Sequence, residues 1–311
     1  MSRIDPSHHH IECLSPAGRH RMAYTQWGDA DNPRVLLCLH GLLRTGRDFD
    51  EVARQLSSEY RVICPDMVGR GASDWLADFS YYAIPQYMAD VLRLLAALQC
   101  KEVDWVGTSM GGLIALSIAG LKQNTELLQQ SGWAGSTVPM GKLVLNDVGT
   151  VLDPVGLARI MQYIAQPSRF QSWEEVLQVV QQRWETFGPH SAAQWGHLAR
   201  YVFKKQGSEW VNAYDPGIAL AVQQQLELDK AQQGQLTQWA QQNLWQAFES
   251  LVAPCLIVRG EFSDLLSIDT AHEMLVRQPQ AIFYQVPGVG HAPTFMQPDQ
   301  LRVLSQFLLK E

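Results

Sequence analysis

A chain of 311 residues is long enough for one large domain, or for one domain carrying an inserted lobe. With 46% hydrophobic and 18% charged residues it has an ordinary globular balance able to bury a large core. A net charge of −7 without any Lys/Arg cluster excludes the electrostatic footprint of a nucleic-acid binder, and no apolar stretch approaches the roughly 18–20 residues that span a bilayer.

Met1-Ser2-Arg3-Ile4-Asp5-Pro6 has no apolar h-region, so a soluble, cytoplasmic protein is expected. His8, His9 and His10 are consecutive, which points neighbouring rings to opposite faces of a strand and makes a poor metal site. They read as an exposed run. Residues 9–28 predict two short strands joined at Ser15-Pro16-Ala17-Gly18. Arg34 to Leu39 is a nearly continuous apolar run, the pattern of a strand buried on both faces of a parallel sheet. A helix over 47–59, a strand over 60–64, a helix over 85–99, a strand over 103–106 and a small-residue helix over 110–121 follow. A further strand, 142–145, ends at Asn146-Asp147.

The composition then shifts. Residues 148 to about 238 lack strand runs, are rich in Gln and Trp, and predict helices around 154–165, 172–186, 191–204 and 218–228. Strand 254–258, helix 268–277, strand 281–286 and a closing amphipathic helix over 298–310 resume the earlier alternation. Strands alternating with helices imply a parallel α/β sheet. The expected organisation is a core domain of residues 1–147 and 239–311, with 148–238 as a helical cap over the carboxyl edge of the sheet, where open α/β sheets place ligand sites. The cysteines Cys13, Cys38, Cys64, Cys100 and Cys255 are odd in number, widely spaced and form no C-x-x-C pair, so they read as small buried hydrophobes rather than as disulfides or metal ligands.

Gly107-Thr108-Ser109-Met110-Gly111 matches G-x-S-x-G between a predicted strand and a predicted helix. The motif needs that context. The serine sits on a sharp, strained turn that lifts its hydroxyl above the sheet, and glycines on either side remove Cβ atoms that would collide where strand and helix cross. The helix that follows turns its N-terminus toward developing negative charge.

Four segments together resemble the α/β-hydrolase superfamily, specifically its lid-bearing members. They are Leu39-His40-Gly41-Leu42, the stretch Asp66 to Asp74, the turn around Ser109, and Gly288-Val289-Gly290-His291. The resemblance covers almost the whole chain and implies a mostly parallel eight-stranded sheet flanked by helices. It also implies that the backbone N–H groups of Leu42 and Met110 hold an oxyanion.

A serine hydroxyl needs a base to take its proton. His291, in a glycine-rich loop after the last predicted strand, is the expected base; His272 also follows the serine but falls within a predicted helix. Asp264, in the loop after strand 254–258, is the expected acid, since the span to His291 holds one helix and one strand. Glu261 and Asp147 are its rivals, and some superfamily members carry the acid at the place of Asp147. His40, Arg70 and Asp74 read as structural. The expected reaction is hydrolysis of a small-to-medium carboxylic ester through an acyl-enzyme, with a small-molecule substrate, no metal and no organic cofactor. A C–C bond hydrolase of a vinylogous diketone, or a non-catalytic receptor on the same fold, remain alternatives. Trp173, Trp184, Trp195, Trp210 and Trp239 read mostly as cap core, with one or two lining the pocket, and no Lys/Arg cluster recommends a strongly anionic substrate.

Overall fold

The computed structural model describes residues 5–121, 140–164 and 169–310; Met1 to Ile4, read above for a secretory signal, and the last residue of the helix expected over 154–165 lie outside them. The chain opens with strands β1 (Ser7–Ser15), β2 (Gly18–Trp27) and β3 (Val35–Leu39), helix α1 (Asp50–Leu56), strand β4 (Arg61–Pro65), helix α2 (Ile84–Ala97), strand β5 (Val103–Thr108), helix α3 (Met110–Leu121) and strand β6 (Met140–Asn146). An inserted segment then carries helix α4 (Pro154–Ile164), strand β7 (Arg169–Phe170), helices α5 (Trp173–Arg183) and α6 (Ala192–Arg200), strands β8 (Phe203–Gln206) and β9 (Glu209–Asn212) and helix α7 (Gly217–Ala231). Helix α8 (Gln235–Glu249), strand β10 (Cys255–Gly260), helix α9 (Ile268–Arg277), strand β11 (Ile282–Val286) and helix α10 (Pro298–Leu309) complete it.

Eight strands form one sheet in the order β1-β2-β4-β3-β5-β6-β10-β11. Only the β1–β2 and β2–β4 pairings are antiparallel; from β4 to β11 the neighbours run parallel. The apolar runs explain this. Every residue of β3 is buried, and successive side chains alternate between two cores. Val35, Leu37 and Leu39 join one, Leu36 and Cys38 the other. Val52, Ala53 and Leu56 of α1 with Leu304 and Leu308 of α10 close the second face. Residues of α2, α3, α8 and α9, among them Val91, Leu95, Ile114, Phe248 and Met274, close the first. On α2, Tyr87, Val91, Leu94 and Leu95 recur at helical spacing and are buried.

The inserted segment is not helix alone. Strands β7, β9 and β8 form a small antiparallel sheet, where helix had been expected to run on to residue 204. The β8–β9 connection is the two-residue turn Gly207-Ser208, with Gly207 at φ 63°. That pair is a hairpin turn, and Lys204-Lys205-Gln206 before it lacks the apolar stripe of a buried helix. Phe170, Val176, Val180, Trp195, Leu198 and Phe203 give the segment an apolar cluster, which Met296 of the core joins. No helix among the described residues is long and apolar enough to cross a membrane.

Candidate active site

The carboxyl ends of the adjacent parallel strands β3, β5, β6, β10 and β11 converge on one rim, and each delivers one part of the site. Ser109 follows β5 in a left-handed backbone conformation, φ 53°, that a side chain rarely adopts. Packing imposes it. A Cβ on Gly107 would come within 2.5 Å of the Gly112 backbone, and one on Gly111 within 2.1 Å of the Leu39 carbonyl oxygen. Ser109 N–H donates to Asn146 O at 2.9 Å, and the Ser109 carbonyl accepts from Gly112 and Leu113 at the start of α3.

His291, nine-tenths buried in the loop after β11, places Nε2 at 3.1 Å from Ser109 Oγ. Its Nδ1 donates to Oδ2 of Asp147 at 2.6 Å. Asp147 is fully buried directly after β6 and also takes a positive φ, 56°. Its carboxylate is held on both sides: Oδ1 accepts from Gly260 N–H at 2.9 Å, and Oδ2 accepts from Ser263 Oγ at 2.7 Å. With both imidazole nitrogens engaged, His291 is fixed in orientation and can relay a proton to and from the serine oxygen.

Asp264, expected to orient His291, is not its partner. It forms a bidentate ion pair with Arg159 of α4, at 2.5 and 2.8 Å. The Arg159 guanidinium holds the Asp264 carboxyl below the usual carboxylate range. The physical reason is geometric: Asp147 leaves β6 with a backbone turn that drops its side chain under the imidazole. Asp264 lies farther along its loop, where the inserted segment captures it. Glu261, the other rival, accepts from Gly288 N–H at 2.8 Å and so braces the loop that carries His291. The inserted segment braces it too: Gly290 N–H donates to Thr186 O at 2.6 Å, and Thr186 Oγ1 donates to the His291 carbonyl at 3.2 Å.

Leu42 and Ser109 line the same cavity. The carbonyl of the Gly41–Leu42 peptide accepts from His40 Nδ1 at 2.7 Å and from Arg44 N–H at 3.1 Å, which fixes the direction of the Leu42 N–H on its other side. His40 is fully buried, its Nε2 accepts from Met67 N–H at 2.9 Å, and burial pushes its pKa down to about 4. It is therefore a neutral imidazole of defined tautomer. Buried Arg70 donates to the Leu42 carbonyl at 2.8 Å, to Val68 O at 2.7 Å and to Tyr87 Oη at 2.9 Å, and Asp74 pairs with Arg21. Met110 is the first residue of α3, so its N–H has no partner within the helix.

The cavity is about 80 Å³, against roughly 300–1,000 Å³ for sites that take drug-sized ligands. From the inserted segment it is lined by Arg159, Tyr163, Arg183, Trp184, Phe187, Phe203, Asn212 and others, and from the core by Arg44. Of the tryptophans weighed above, Trp184 lines it, Trp195 is buried in the segment's apolar cluster, Trp173 and Trp210 pack against each other at 4.8 Å, and Trp239 is exposed. Three arginines far apart in sequence thus meet at one site, which the lack of a local basic cluster had concealed. Cys13, His20 and Asp90 bring three possible ligand atoms together elsewhere, but His20 Nε2 and Gln86 Nε2 already donate to the Asp90 carboxylate.

A seryl oxygen raised on a strained turn beside an imidazole and a buried carboxylate, on this sheet order, defines an α/β-hydrolase architecture. A model of the alpha/beta hydrolase family matches residues 36–302, and the chain belongs to that family. It is 44% identical over 301 residues to a 3-hydroxybutyrate-oligomer hydrolase of Cupriavidus necator, covering 96% of both chains. Among solved structures, a putative hydrolase from Rickettsia typhi matches with a TM-score of 0.82 over 99% of this chain and 100% of that one, at 23% identity. An alpha/beta hydrolase from Novosphingobium aromaticivorans matches with a TM-score of 0.77 over the full length of both chains, at 27% identity.

Proposed function

We propose that this protein is a serine esterase acting on short oligomers of 3-hydroxybutyrate, with Ser109 as nucleophile, His291 as general base and Asp147 as the acid that orients it. The observation that carries the reading is the unbroken hydrogen-bonded line from Asp147 Oδ2 through His291 to Ser109 Oγ. Ser109 Oγ attacks the ester carbonyl carbon as its proton passes to His291 Nε2. The charge that gathers on the carbonyl oxygen is taken by the N–H groups of Leu42 and Met110, which are aimed before the reaction begins. His291 then protonates the departing alkoxide, leaving an acyl group on Ser109. Water, deprotonated by the same nitrogen, attacks the acyl carbon, and collapse of the second tetrahedral species releases the acid and restores the hydroxyl.

The substrate class rests on the Cupriavidus necator relative, whose name specifies 3-hydroxybutyrate oligomers. Such oligomers are chains of carboxylic esters. Residues 148–238 act as a cap in this reading, supplying one wall of the cavity, and the core comprises 1–147 and 239–311. The test is twofold. Wild-type protein is expected to label with a fluorophosphonate probe and to release 3-hydroxybutyrate from its linear dimer, and Ser109→Ala to do neither. Failure of the wild type to label sinks the serine chemistry; labelling without dimer hydrolysis sinks the substrate assignment.

A further inference from the structure

Arg44 lines the cavity that contains Ser109, and one of its donors has no acceptor among the described residues. It follows the Leu42 loop, and a methyl built on Gly41 would lie 3.6 Å from Arg44 Cγ and 3.7 Å from Ser109 Cβ, so the stem of the side chain starts beside the nucleophile. The side chain is nine-tenths buried. Its Nε and Nη2 form a fork with Asp48 at 2.7 and 2.6 Å, and Nη2 also donates to the Leu198 carbonyl at 3.1 Å. The guanidinium lies over the Trp184 ring, with Cζ 4.2 Å from the ring centroid. Nη1 alone is buried with no acceptor among the described residues.

Buried donors are satisfied in the great majority of cases, and leaving a charged one unpaired costs more than leaving a neutral one. Asp48, Leu198 and Trp184 hold the fork rigidly, so Nη1 cannot swing out to find a partner without breaking two short bonds. Asp48 already pairs its charge, so Nη1 is a preorganised, charge-assisted donor; with no Asp or Glu among the described residues that line the cavity, it fits a carboxylate. Asn212, which lines the same cavity, adds a buried Oδ1 with no donor among the described residues. A cationic donor and a neutral acceptor are what the two ends of a hydroxy-acid oligomer, a carboxylate and a hydroxyl, require.

We propose that Arg44 is the specificity-determining residue that binds the free carboxylate of the substrate, making the enzyme selective for short hydroxy-acid oligomers with an unblocked acid end. The inference rests on the ester-hydrolase reading above. In a dimer the only carboxylate is on the alcohol side of the scissile ester, so Arg44 holds the leaving fragment.

The experiment compares the linear 3-hydroxybutyrate dimer with its methyl ester, which removes the charge and keeps the scissile bond. In wild type the free acid is the better substrate. In Arg44→Gln the ratio of kcat/KM for acid over methyl ester falls roughly ten- to a hundred-fold, mainly through KM for the acid. Arg44→Lys recovers part of the ratio, because charge returns without the planar fork. A ratio taken within one preparation is insensitive to the fraction folded. Binding of 3-hydroxybutyrate against its methyl ester, measured in the Ser109→Ala background with and without Arg44→Gln, reads the same preference without turnover. An unchanged ratio in Arg44→Gln, or equal use of acid and methyl ester by wild type, overturns the inference while leaving the esterase reading intact. Absence of fluorophosphonate labelling removes both.

Discussion

Replacing Asp147 by Asn separates the two carboxylates that compete for the role of acid. Three donors converge on the two oxygens of Asp147: Gly260 N–H on Oδ1, and Ser263 Oγ with His291 Nδ1 on Oδ2. An asparagine must put its NH₂ on one of those sides. Facing Gly260, it sets donor against donor in a buried site, at about 1–3 kcal/mol. Facing His291 it is satisfied, because the serine hydroxyl can rotate and Nδ1 can accept. That orientation drives the proton to Nε2, the nitrogen that must be empty to take the proton of Ser109. The side chain therefore settles into the arrangement that disables the base, and kcat is expected to fall by about 10⁴, or about 5 kcal/mol of barrier. Asp264→Asn breaks only the pair with Arg159 and is expected to cost less than about ten-fold. Initial rates on p-nitrophenyl butyrate, with folded fraction checked by near-UV circular dichroism, measure both. The reasoning is refuted if Asp264→Asn is the crippled variant, or if Asp147→Asn keeps more than about a tenth of wild-type kcat.

Further outcomes follow from the same contacts. Gly111→Ala places a methyl against the Leu39 carbonyl and is expected to destabilise the fold by about 3 kcal/mol or more, read by urea unfolding; a change under about 1 kcal/mol contradicts the packing described at the turn. His40 and Asp66 predict opposed pH effects on stability. Burial lowers His40 from 6.5 to about 4, so its contribution is full above pH 6.5 and is lost as pH falls toward 4. Burial raises Asp66 from 3.8 to about 6, so its contribution is full below pH 3.8 and is lost as pH rises through 6. Each amounts to about 3 kcal/mol, and they largely cancel between pH 4 and 6.5. Asp66→Asn should uncover the histidine, making the urea-unfolding free energy fall by about 3 kcal/mol more than wild type across that interval; parallel pH profiles would count against it. Trp184→Ala removes the surface on which the Arg44 guanidinium lies and is expected to raise KM for the dimer about five-fold, corresponding to about 1 kcal/mol. An unchanged KM argues that Trp184 neither lines the bound substrate nor steadies Arg44.

The sheet and the turn at Ser109 were legible because they are written in local patterns. Fully apolar strands such as Val35–Leu39 and Cys255–Gly260 announce burial on both faces, and the glycines at 107 and 111 mark the crossing of strand and helix around Ser109. The place of His291 beside Ser109 was readable from its glycine-rich loop after the last strand. The carboxylate that meets His291 was not, because Asp147 and Asp264 both follow strands on the correct edge, and spacing permits either to reach the imidazole. What separates them is three-dimensional: the positive φ of Asp147, and Arg159 of the inserted segment, whose pairing with Asp264 has no sequence signature. The small sheet of the inserted segment has one local signal, the Gly207-Ser208 turn between two short polar-apolar stretches. The cationic wall had none, since Arg44, Arg159 and Arg183 meet only when the segment folds back over the rim.

Capture of the acyl group by rapid acid quench during turnover of p-nitrophenyl butyrate, followed by peptide mapping by mass spectrometry, goes directly to the chemistry. An activated ester makes acylation the faster step, so a butyryl adduct should accumulate on the peptide bearing Ser109 and be absent from Ser109→Ala. Stoichiometric acylation of any other residue, or undiminished turnover by Ser109→Ala, would contradict the account.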